Sequence, residues 1–298
     1  MKKLRVFSTF DGIAGARIAL ERAGIPVEIY YASEIEKNAI TIAQHNYPDI
    51  IQLGDIRNID GTKYTGQIDL FIGGSSCTTL SIARANREEF EGESGLFYEY
   101  VRLRDEIQPT YFFLENVFGM SAEAKEEITK RMGVDPLLIN SKLVSAQSRR
   151  RYYWTNIPNT SIPEDRGIKL QDILEYGYAD REKSLCLLRS YARFSGTQAY
   201  LCRRYFGKYF GQAVFTSKED RDLIWNKWKQ NNRFPDEELE HPIIRGLTCL
   251  ECERLQTIPD NYTACIDSEP IRKKVIGNGW TIEVIAHLLS GLKDVYGE

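Results

Sequence analysis

Residues 4–15 read LRVFSTFDGIAG, and this stretch decides the fold class. Apolar side chains dominate its first seven residues, which predicts a short strand. The turn that follows has glycine at positions 12 and 15, where the backbone can approach a ligand closely. A helix is predicted over residues 13–23, because Gly24 and Pro26 end the periodic pattern. Strand, glycine-rich turn and helix form a βα unit that can bind a ligand at its turn, although an ordinary tight turn explains the same residues.

The same alternation continues through the first half of the chain. Apolar runs are separated by segments of helix length, which predicts βαβ units and an α/β fold with a parallel sheet. In such a sheet, ligands bind beyond the carboxyl ends of the strands. Further strands are predicted over residues 27–32, 68–72, 111–114, 137–143 and 151–157, and further helices over residues 36–45 and 121–132.

Polar residues stand just past several of these predicted strands, namely Asp11, Glu34, Cys77 and Glu115. An acidic residue at the position of Glu34 commonly accepts hydrogen bonds from the ribose of a nucleoside cofactor, although a solvated loop carboxylate is the simpler interpretation. Cys77 follows the small-residue segment GGSS, where converging backbone amides can expose and activate a thiol nucleophile. A small buried core cysteine is the alternative.

Glu115 and Asn116 end a strongly apolar strand that is expected to neighbour the one before Cys77. A thiol nucleophile with a carboxyl group beside it suits conjugate addition to a heteroaromatic ring. The thiolate adds to the ring, and the acid protonates or hydrogen-bonds a ring nitrogen. A capping or salt-bridging role is the alternative for Glu115.

Three donors follow at alternate positions, Gln147, Arg149 and Arg151. In a strand they would share one face and could together bind a phosphate or the carbonyl of a base. A solvated basic edge strand explains the spacing equally well.

Net charge, apolar runs and cysteine content limit the classes of protein that the sequence can represent. The 298 residues carry a formal net charge of −3, so any surface for nucleic acid must be local. Residues 158–242 are a candidate for this nucleic-acid surface, because basic and aromatic residues cluster there and predicted strands and helices no longer alternate. No run spans a bilayer, and six scattered cysteines without a signal peptide indicate reduced thiols in the cytosol. Cys249 and Cys252 lack further ligands at zinc spacing, so two inward thiols on a helix are predicted, and no metal.

Eight ordered segments of the chain resemble the motifs of the cytosine-5 DNA methyltransferase family, and chance does not explain them. Several are similar to the catalytic domain of vertebrate de novo enzymes. The segments are residues 7–15, Glu34, 54–56 (GDI), 73–81 (GGSSCTTLS), 115–117 (ENV), 147–151 (QSRRR), 245–260 and 277–280 (GNGW).

The resemblance implies a Rossmann-like methyltransferase fold, with a mostly parallel sheet, helices on both faces and a small target-recognition domain. It implies transfer of a methyl group from S-adenosylmethionine to carbon 5 of a cytosine flipped out of double-stranded DNA, through a covalent adduct with Cys77. Residues 1–157 would form the catalytic and cofactor-binding domain, residues 158–244 the target-recognition domain, and residues 245–298 a segment that completes the catalytic domain.

The resemblance also assigns roles to single residues. The implied catalytic residues are Cys77, Glu115, Arg149 and Arg151. The implied cofactor-binding residues are Phe10, Asp11, Gly12, Ile13, Gly15, Glu34, Ile35, Asp55, Ile56, Gly74, Asn278 and Trp280. The implied DNA-binding residues are Ser81, Arg84, Asn116, Arg189, Arg193, Arg203 and Arg204.

One departure from the family pattern affects the nucleophile loop, where Ser76 replaces the usual proline and Thr78 the usual glutamine. Proline would fix the backbone there, and serine does not.

An RNA cytosine-5 methyltransferase and a catalytically silent DNA-binding homologue are the alternative functions. A Rossmann-type oxidoreductase leaves the Cys and ENV segments unexplained. Residues 95–104 resemble a helix that de novo relatives use for pairing, so both a monomer and a homodimer are open. A bacterial or phage-infected cytoplasm is the expected setting.

Overall fold

A computed structural model describes residues 2–74, 95–193, 197–206, 213–231 and 243–297. The chain divides into two compact units. Unit 1 comprises residues 1–140, 150–163 and 282–298, and unit 2 comprises residues 141–149 and 164–281. The predicted domain boundaries after residues 157 and 244 differ from this division. The chain enters unit 2 for residues 141–149, returns to unit 1 for residues 150–163, and after a second passage through unit 2 rejoins unit 1 at Ile282.

Unit 1 is built around one sheet of seven strands. The strands are β1 (Leu4–Thr9), β2 (Val27–Ser33), β3 (Ile51–Gln52), β4 (Leu70–Gly73), β5 (Tyr111–Val117), β6 (Leu137–Asn140) and β7 (Arg150–Thr155). The helices are α1 (Gly15–Arg22), α2 (Lys37–Asn46), α3 (Leu96–Ile107), α4 (Ala122–Met132), α9 (Ile282–Leu289) and α10 (Lys293–Tyr296).

The strand order is β3-β2-β1-β4-β5-β7-β6. Strands β1 to β5 pair in parallel, as the sequence predicted, whereas β7 runs antiparallel to both β5 and β6. The order reverses between β1 and β4, since β2 and β3 lie on one side and β5 on the other. Such a switch point opens a crevice at the carboxyl ends of the strands, where α/β sheets bind their ligands.

The central strands are buried on both faces, which explains their continuous apolar runs. Phe7, Phe71 and Leu114 are 0% exposed and belong to one hydrophobic cluster with Phe97 and Tyr100 of α3. The Phe71 and Tyr100 rings lie 4.7 Å apart in a tilted arrangement. Such aromatic contacts fix α3 against the sheet and so hold the edge beside it in place.

Gly73 ends β4 directly at the switch point and cannot be replaced without a local shift. A Cβ atom there would lie 2.1 Å from Oγ1 of Thr9 and 3.0 Å from its carbonyl oxygen. The glycine therefore allows the ends of β1 and β4 to approach each other at the crevice.

Unit 2 contains α5 (Gln198–Phe206), α6 (Lys218–Asn231), α7 (Cys249–Leu255), α8 (Glu269–Asn278) and a hairpin-like pair of short antiparallel strands, β8 (Val214–Phe215) and β9 (Ile244–Arg245). Thr248 and Glu251 form a capping box at the start of α7. Cys249 and Cys252 are both buried on this helix, which confirms the prediction of two inward thiols. Within the described part of the chain there is no cluster of metal-ligating side chains and no helix able to span a membrane.

Candidate active site

The turn after β1 has an unusual backbone conformation. Phe10, Gly12 and Ala14 all have positive φ angles, of 53°, 59° and 63°. Only Gly12 adopts such angles without strain, and strained non-glycine residues concentrate at functional sites. The turn lies at the carboxyl end of β1, at the switch point, so the fold places the predicted cofactor loop where the sheet binds ligands.

Glu34 follows β2 and anchors this turn. Its Oε2 accepts a hydrogen bond of 2.8 Å from the amide of Gly12, and its Oε1 accepts from the amides of Ile35 and Glu36 at 2.7 and 2.8 Å. The carboxylate therefore connects the ends of β1 and β2. Ile35 beside it is 67% exposed, so an apolar surface adjoins the carboxylate.

Asp11, at the carboxyl edge of the sheet, has a strongly shifted pKa. It is 7% exposed, and its Oδ1 accepts a hydrogen bond of 2.6 Å from the Tyr30 hydroxyl. Its Oδ2 is buried and makes no hydrogen bond of good geometry in the part of the chain that the structure describes, although the nearby Ser8 side chain acts to lower the pKa of Asp11. Burial raises the pKa of Asp11 to about 6, and the neighbouring charge of Glu34 adds to that rise. A cation placed at Oδ2 would offset the cost of this buried charge.

Residues 54–56 follow β3 on the same side of the switch point. Asp55 forms an ion pair with Arg57, and this hydrogen-bonded contact lowers the pKa of Asp55. The backbone of the segment is held by Arg102 of α3, which donates hydrogen bonds of 3.1 and 3.0 Å to the carbonyls of Ile56 and Ile59. This role of Arg102 could not be predicted from the sequence, because the two carbonyls that it contacts lie 43 and 46 residues away.

Glu115 and Arg151 meet at the carboxyl end of β5. Arg151 Nε lies 2.8 Å from Glu115 Oε1, and the two side chains are only 12% and 10% exposed. The antiparallel register pairs Glu115 with Tyr153 and Val117 with Arg151, so all four side chains share one face and the ion pair is diagonal across the two strands. The structure thus brings together two of the predicted catalytic residues.

Asn116 lies on the opposite face of β5 and is 1% exposed. Its side-chain oxygen accepts a hydrogen bond of 2.8 Å from the amide of Val117. The predicted contact of Asn116 with DNA stays a prediction. The hydrogen bond with Val117 shapes the end of β5 next to Glu115.

The prediction that Gln147, Arg149 and Arg151 share one strand face is wrong, because β7 begins only at Arg150. Gln147 and Arg149 belong to unit 2 and are 0% and 4% exposed. The Arg149 guanidinium donates hydrogen bonds of 2.9 Å to the carbonyls of Leu187 and Gly279. Arg149 therefore stabilises the backbone of unit 2, and the catalytic role assigned to it from the sequence stays a prediction.

Sequence reasoning missed Gln256 as the centre of the same buried network. Its amide nitrogen donates hydrogen bonds of 3.0 Å to the carbonyls of Ile276 and Gly279, and its oxygen accepts from Gln147 at 2.8 Å. Gly279 thus receives donors from both Arg149 and Gln256, immediately before Trp280. The only available signal was the RLQ segment of the family motif, which names the residue without its partners.

Replacing Gln256 with leucine should destabilise the protein by about 2 kcal/mol, because two carbonyls lose a buried donor and an apolar group cannot satisfy them. Urea unfolding followed by far-ultraviolet circular dichroism measures this loss. Gln171→Leu is a suitable comparison, since that side chain makes hydrogen bonds at an exposed position in the same unit. Equal unfolding free energies for the two variants would contradict the importance of the network.

The remaining predicted site residues are only partly described. Cys77, Ser81 and Arg84 lie outside the described residues, as do the side chains of Arg193, Arg203 and Arg204. Their roles stay predictions. Among the others, Gly74 and Trp280 are partly buried, Asn278 and Arg189 are exposed, and Ile13 and Gly15 are buried around the start of α1.

The strand order, the switch-point loop and the antiparallel β7 together define a Rossmann-like methyltransferase fold. A crystal structure of a mutant of Spodoptera frugiperda DNMT2 is similar to the chain, with a TM-score of 0.75 and 19% identity over 97% of this chain and 99% of that one. The S. pombe Dnmt2 methyltransferase gives a TM-score of 0.67 at 19% identity, over 98% and 99% of the two chains.

The family is shown by sequence. Residues 4–294 match the model of the C-5 cytosine-specific DNA methylase family, and the chain therefore belongs to that family. It is similar to the orphan methyltransferase M.SPRI of Bacillus phage SPR, with 36% identity over 59% of this chain and 44% of the relative. It is also similar to the type II methyltransferase M.FnuDI of Fusobacterium nucleatum, with 24% identity over 98% and 94% of the two chains. The chain thus spans less than half of M.SPRI but nearly all of M.FnuDI.

Proposed function

We propose that the chain transfers a methyl group from S-adenosylmethionine to carbon 5 of a cytosine flipped out of double-stranded DNA. The observation that carries this proposal is the Glu115–Arg151 pair, a buried carboxylate and guanidinium side by side at the ligand-binding edge of the sheet. The names of relatives such as M.SPRI and M.FnuDI, both called methyltransferases, support the same reaction class.

The residues around the switch point fit S-adenosylmethionine. The unpartnered buried oxygen of Asp11 suits a ligand that carries positive charge. The carboxylate of Glu34 suits ribose hydroxyls, and exposed Ile35 offers an apolar surface for a flat ring. Phe10, Gly12, Asp55 and Ile56 would complete the part of the site that unit 1 supplies. When bound, this cofactor supplies an electrophilic methyl group.

The Glu115–Arg151 pair is complementary to one edge of cytosine. The guanidinium can donate to the ring carbonyl, while the carboxyl group can engage ring nitrogen 3 and the neighbouring amino group. Uracil and thymine carry a carbonyl at position 4, which cannot donate to the carboxyl group as the amino group of cytosine does, so the same pair would discriminate against them. Held on two adjacent strands, both groups are positioned before substrate binds, which lowers the reorganisation cost of the reaction.

Chemistry would begin with the Cys77 thiolate, which adds to ring carbon 6. Glu115 stabilises the charge that develops at nitrogen 3, and carbon 5 then becomes nucleophilic enough to accept the methyl group. Loss of the proton from carbon 5 and departure of the Cys77 sulfur restore the ring. Extruding the base costs a few kcal/mol, which contacts to the surrounding DNA must offset.

Methyl transfer from tritiated S-adenosylmethionine tests this proposal directly. The purified chain is offered duplex DNA and, in parallel, tRNA, and bisulfite sequencing of the DNA product identifies the base and its sequence context. We expect tritium in DNA and protected cytosines. Label in tRNA alone would favour the RNA alternative, and cofactor binding without transfer to any DNA would favour a silent DNA-binding homologue.

A further inference from the structure

The mechanism leaves one cation–aromatic cluster at this edge of unit 1 unused. The Arg150 guanidinium lies 3.9 Å from the centroid of the Phe118 ring, which follows β5 directly. The Phe118 and Tyr152 rings are 5.6 Å apart, and Lys125 Nζ of α4 lies 5.0 Å from the Tyr152 centroid. Arg150 is exposed, and the other three side chains are partly buried.

Arg150 differs from the other described arginines of unit 1 in its electrostatic partners. Eight of these nine arginines form an ion pair with a carboxylate, namely Arg5, Arg17, Arg22, Arg57, Arg102, Arg104, Arg131 and Arg151. Among the residues that the structure describes, Arg150 has no carboxylate partner, and its guanidinium contacts an aromatic face instead. Among the described residues, a chain with a net charge of −3 thus leaves this positive charge without an ion pair beside its proposed catalytic edge.

We infer that Arg150, whose guanidinium lies over the Phe118 ring, contacts a backbone phosphate of the DNA beside the flipped cytosine; this inference rests on the proposed function. Contact with a ring face limits the motion of the guanidinium and leaves its N–H groups free to bind phosphate in a bidentate manner, and the side chain of Arg150 is exposed. Lys125 Nζ, 5.0 Å from the Tyr152 ring centroid, adds a second positive charge to the same surface.

The position along β7 fits this role. Arg150 and Arg151 are consecutive in a strand, so their side chains leave opposite faces while their Cα atoms lie about 3.8 Å apart. Arg151 serves the base through its pair with Glu115, and Arg150 would serve the backbone that carries the base. A contact this close to the base would fix the register of the duplex at the catalytic edge.

Fluorescence anisotropy with a labelled duplex tests the phosphate contact. Binding is measured across a salt series in the presence of S-adenosylhomocysteine for the wild type, Arg150→Gln and the control Arg131→Gln. Arg131 is exposed in the same unit and already paired with Glu127, so its loss changes the net charge equally. We expect Arg150→Gln to bind about fivefold more weakly and to lower the slope of log K against log salt by about 1.

Two further variants separate charge from stacking. Arg150→Lys should retain the salt slope, because it keeps the charge, but bind more weakly than the wild type because an ammonium group does not stack. Phe118→Leu should weaken binding with Arg150 intact, whereas Phe118→Tyr should not.

Arg150→Gln with the affinity and salt slope of Arg131→Gln would overturn this inference, even if the wild type methylates DNA. A slope change seen with tRNA but not with duplex DNA would overturn it as well. Failure of the proposed function is recognised separately, as the absence of tritium transfer to DNA by the wild type, because the anisotropy measurement requires no turnover.

Discussion

Replacing Glu115 with glutamine is expected to lower kcat for methyl transfer about a thousandfold. Glutamine has the size of glutamate, so β5 and its pairing with β7 should be unaffected. It lacks the negative charge that faces Arg151 at 2.8 Å, and it can neither accept nor deliver a proton at ring nitrogen 3. Single-turnover transfer of tritiated methyl groups measures the chemical step, and calorimetry should show cofactor affinity within about twofold of the wild type.

Glu127→Gln is the matched control, since Glu127 forms an ion pair with Arg131 on α4, away from the sheet edge. It should retain wild-type turnover.

Cys77→Ser should abolish turnover while leaving cofactor binding largely intact. DNA that contains 5-fluorocytosine traps a covalent adduct, so this variant should form no stable complex with such DNA. A Glu115→Gln enzyme with the wild-type rate would contradict the assigned role, as would methyl transfer by Cys77→Ser.

The parallel part of the sheet could be predicted because its signal is local. Strands buried on both faces appear as continuous apolar runs, and the runs at residues 68–72 and 111–114 correspond to β4 and β5. The polar residue at the end of such a run must lie at the ligand-binding edge. The apolar runs alone therefore located Asp11, Glu34 and Glu115 at the carboxyl ends of their strands.

The separation of Arg149 from Arg151 could not be predicted from the same reasoning. The alternation rule holds only within a strand, and β7 begins one residue after Arg149. The partners that decide the role of Arg149 lie 38 and 130 residues away in sequence, at Leu187 and Gly279. Likewise, the pKa of Asp11 depends on burial by surrounding elements, which no spacing of residues reveals.

Replacing Asp11 with asparagine is expected to stabilise the cofactor-free protein, and to do so increasingly as the pH rises. The pKa of Asp11 is raised from 3.8 to about 6 by burial, so between these values the native state holds the proton more tightly than the unfolded chain. Wild-type stability therefore falls relative to Asp11→Asn as the pH rises from about 4 to about 6, and the difference is constant above that range.

The charge costs about 3 kcal/mol at pH 7.5, and the relative stabilities should change by about 2 kcal/mol between pH 4.5 and pH 7.5. Urea unfolding at the two pH values measures this change. Asp60→Asn should give the opposite sign, because a hydrogen bond from the Thr62 hydroxyl lowers the pKa of Asp60 and that carboxylate stabilises the fold as the pH rises. A pH-independent difference between the wild type and Asp11→Asn would contradict the buried charge.

The same substitution should weaken cofactor binding about tenfold at pH 7.5, because the unpartnered Oδ2 would no longer offer a negative charge to a positively charged ligand. Wild-type affinity for S-adenosylmethionine should fall below about pH 6, where the carboxyl gains its proton, while the affinity of Asp11→Asn should not. Calorimetry across this range tests both expectations. Wild-type affinity in Asp11→Asn would remove Asp11 from the cofactor site.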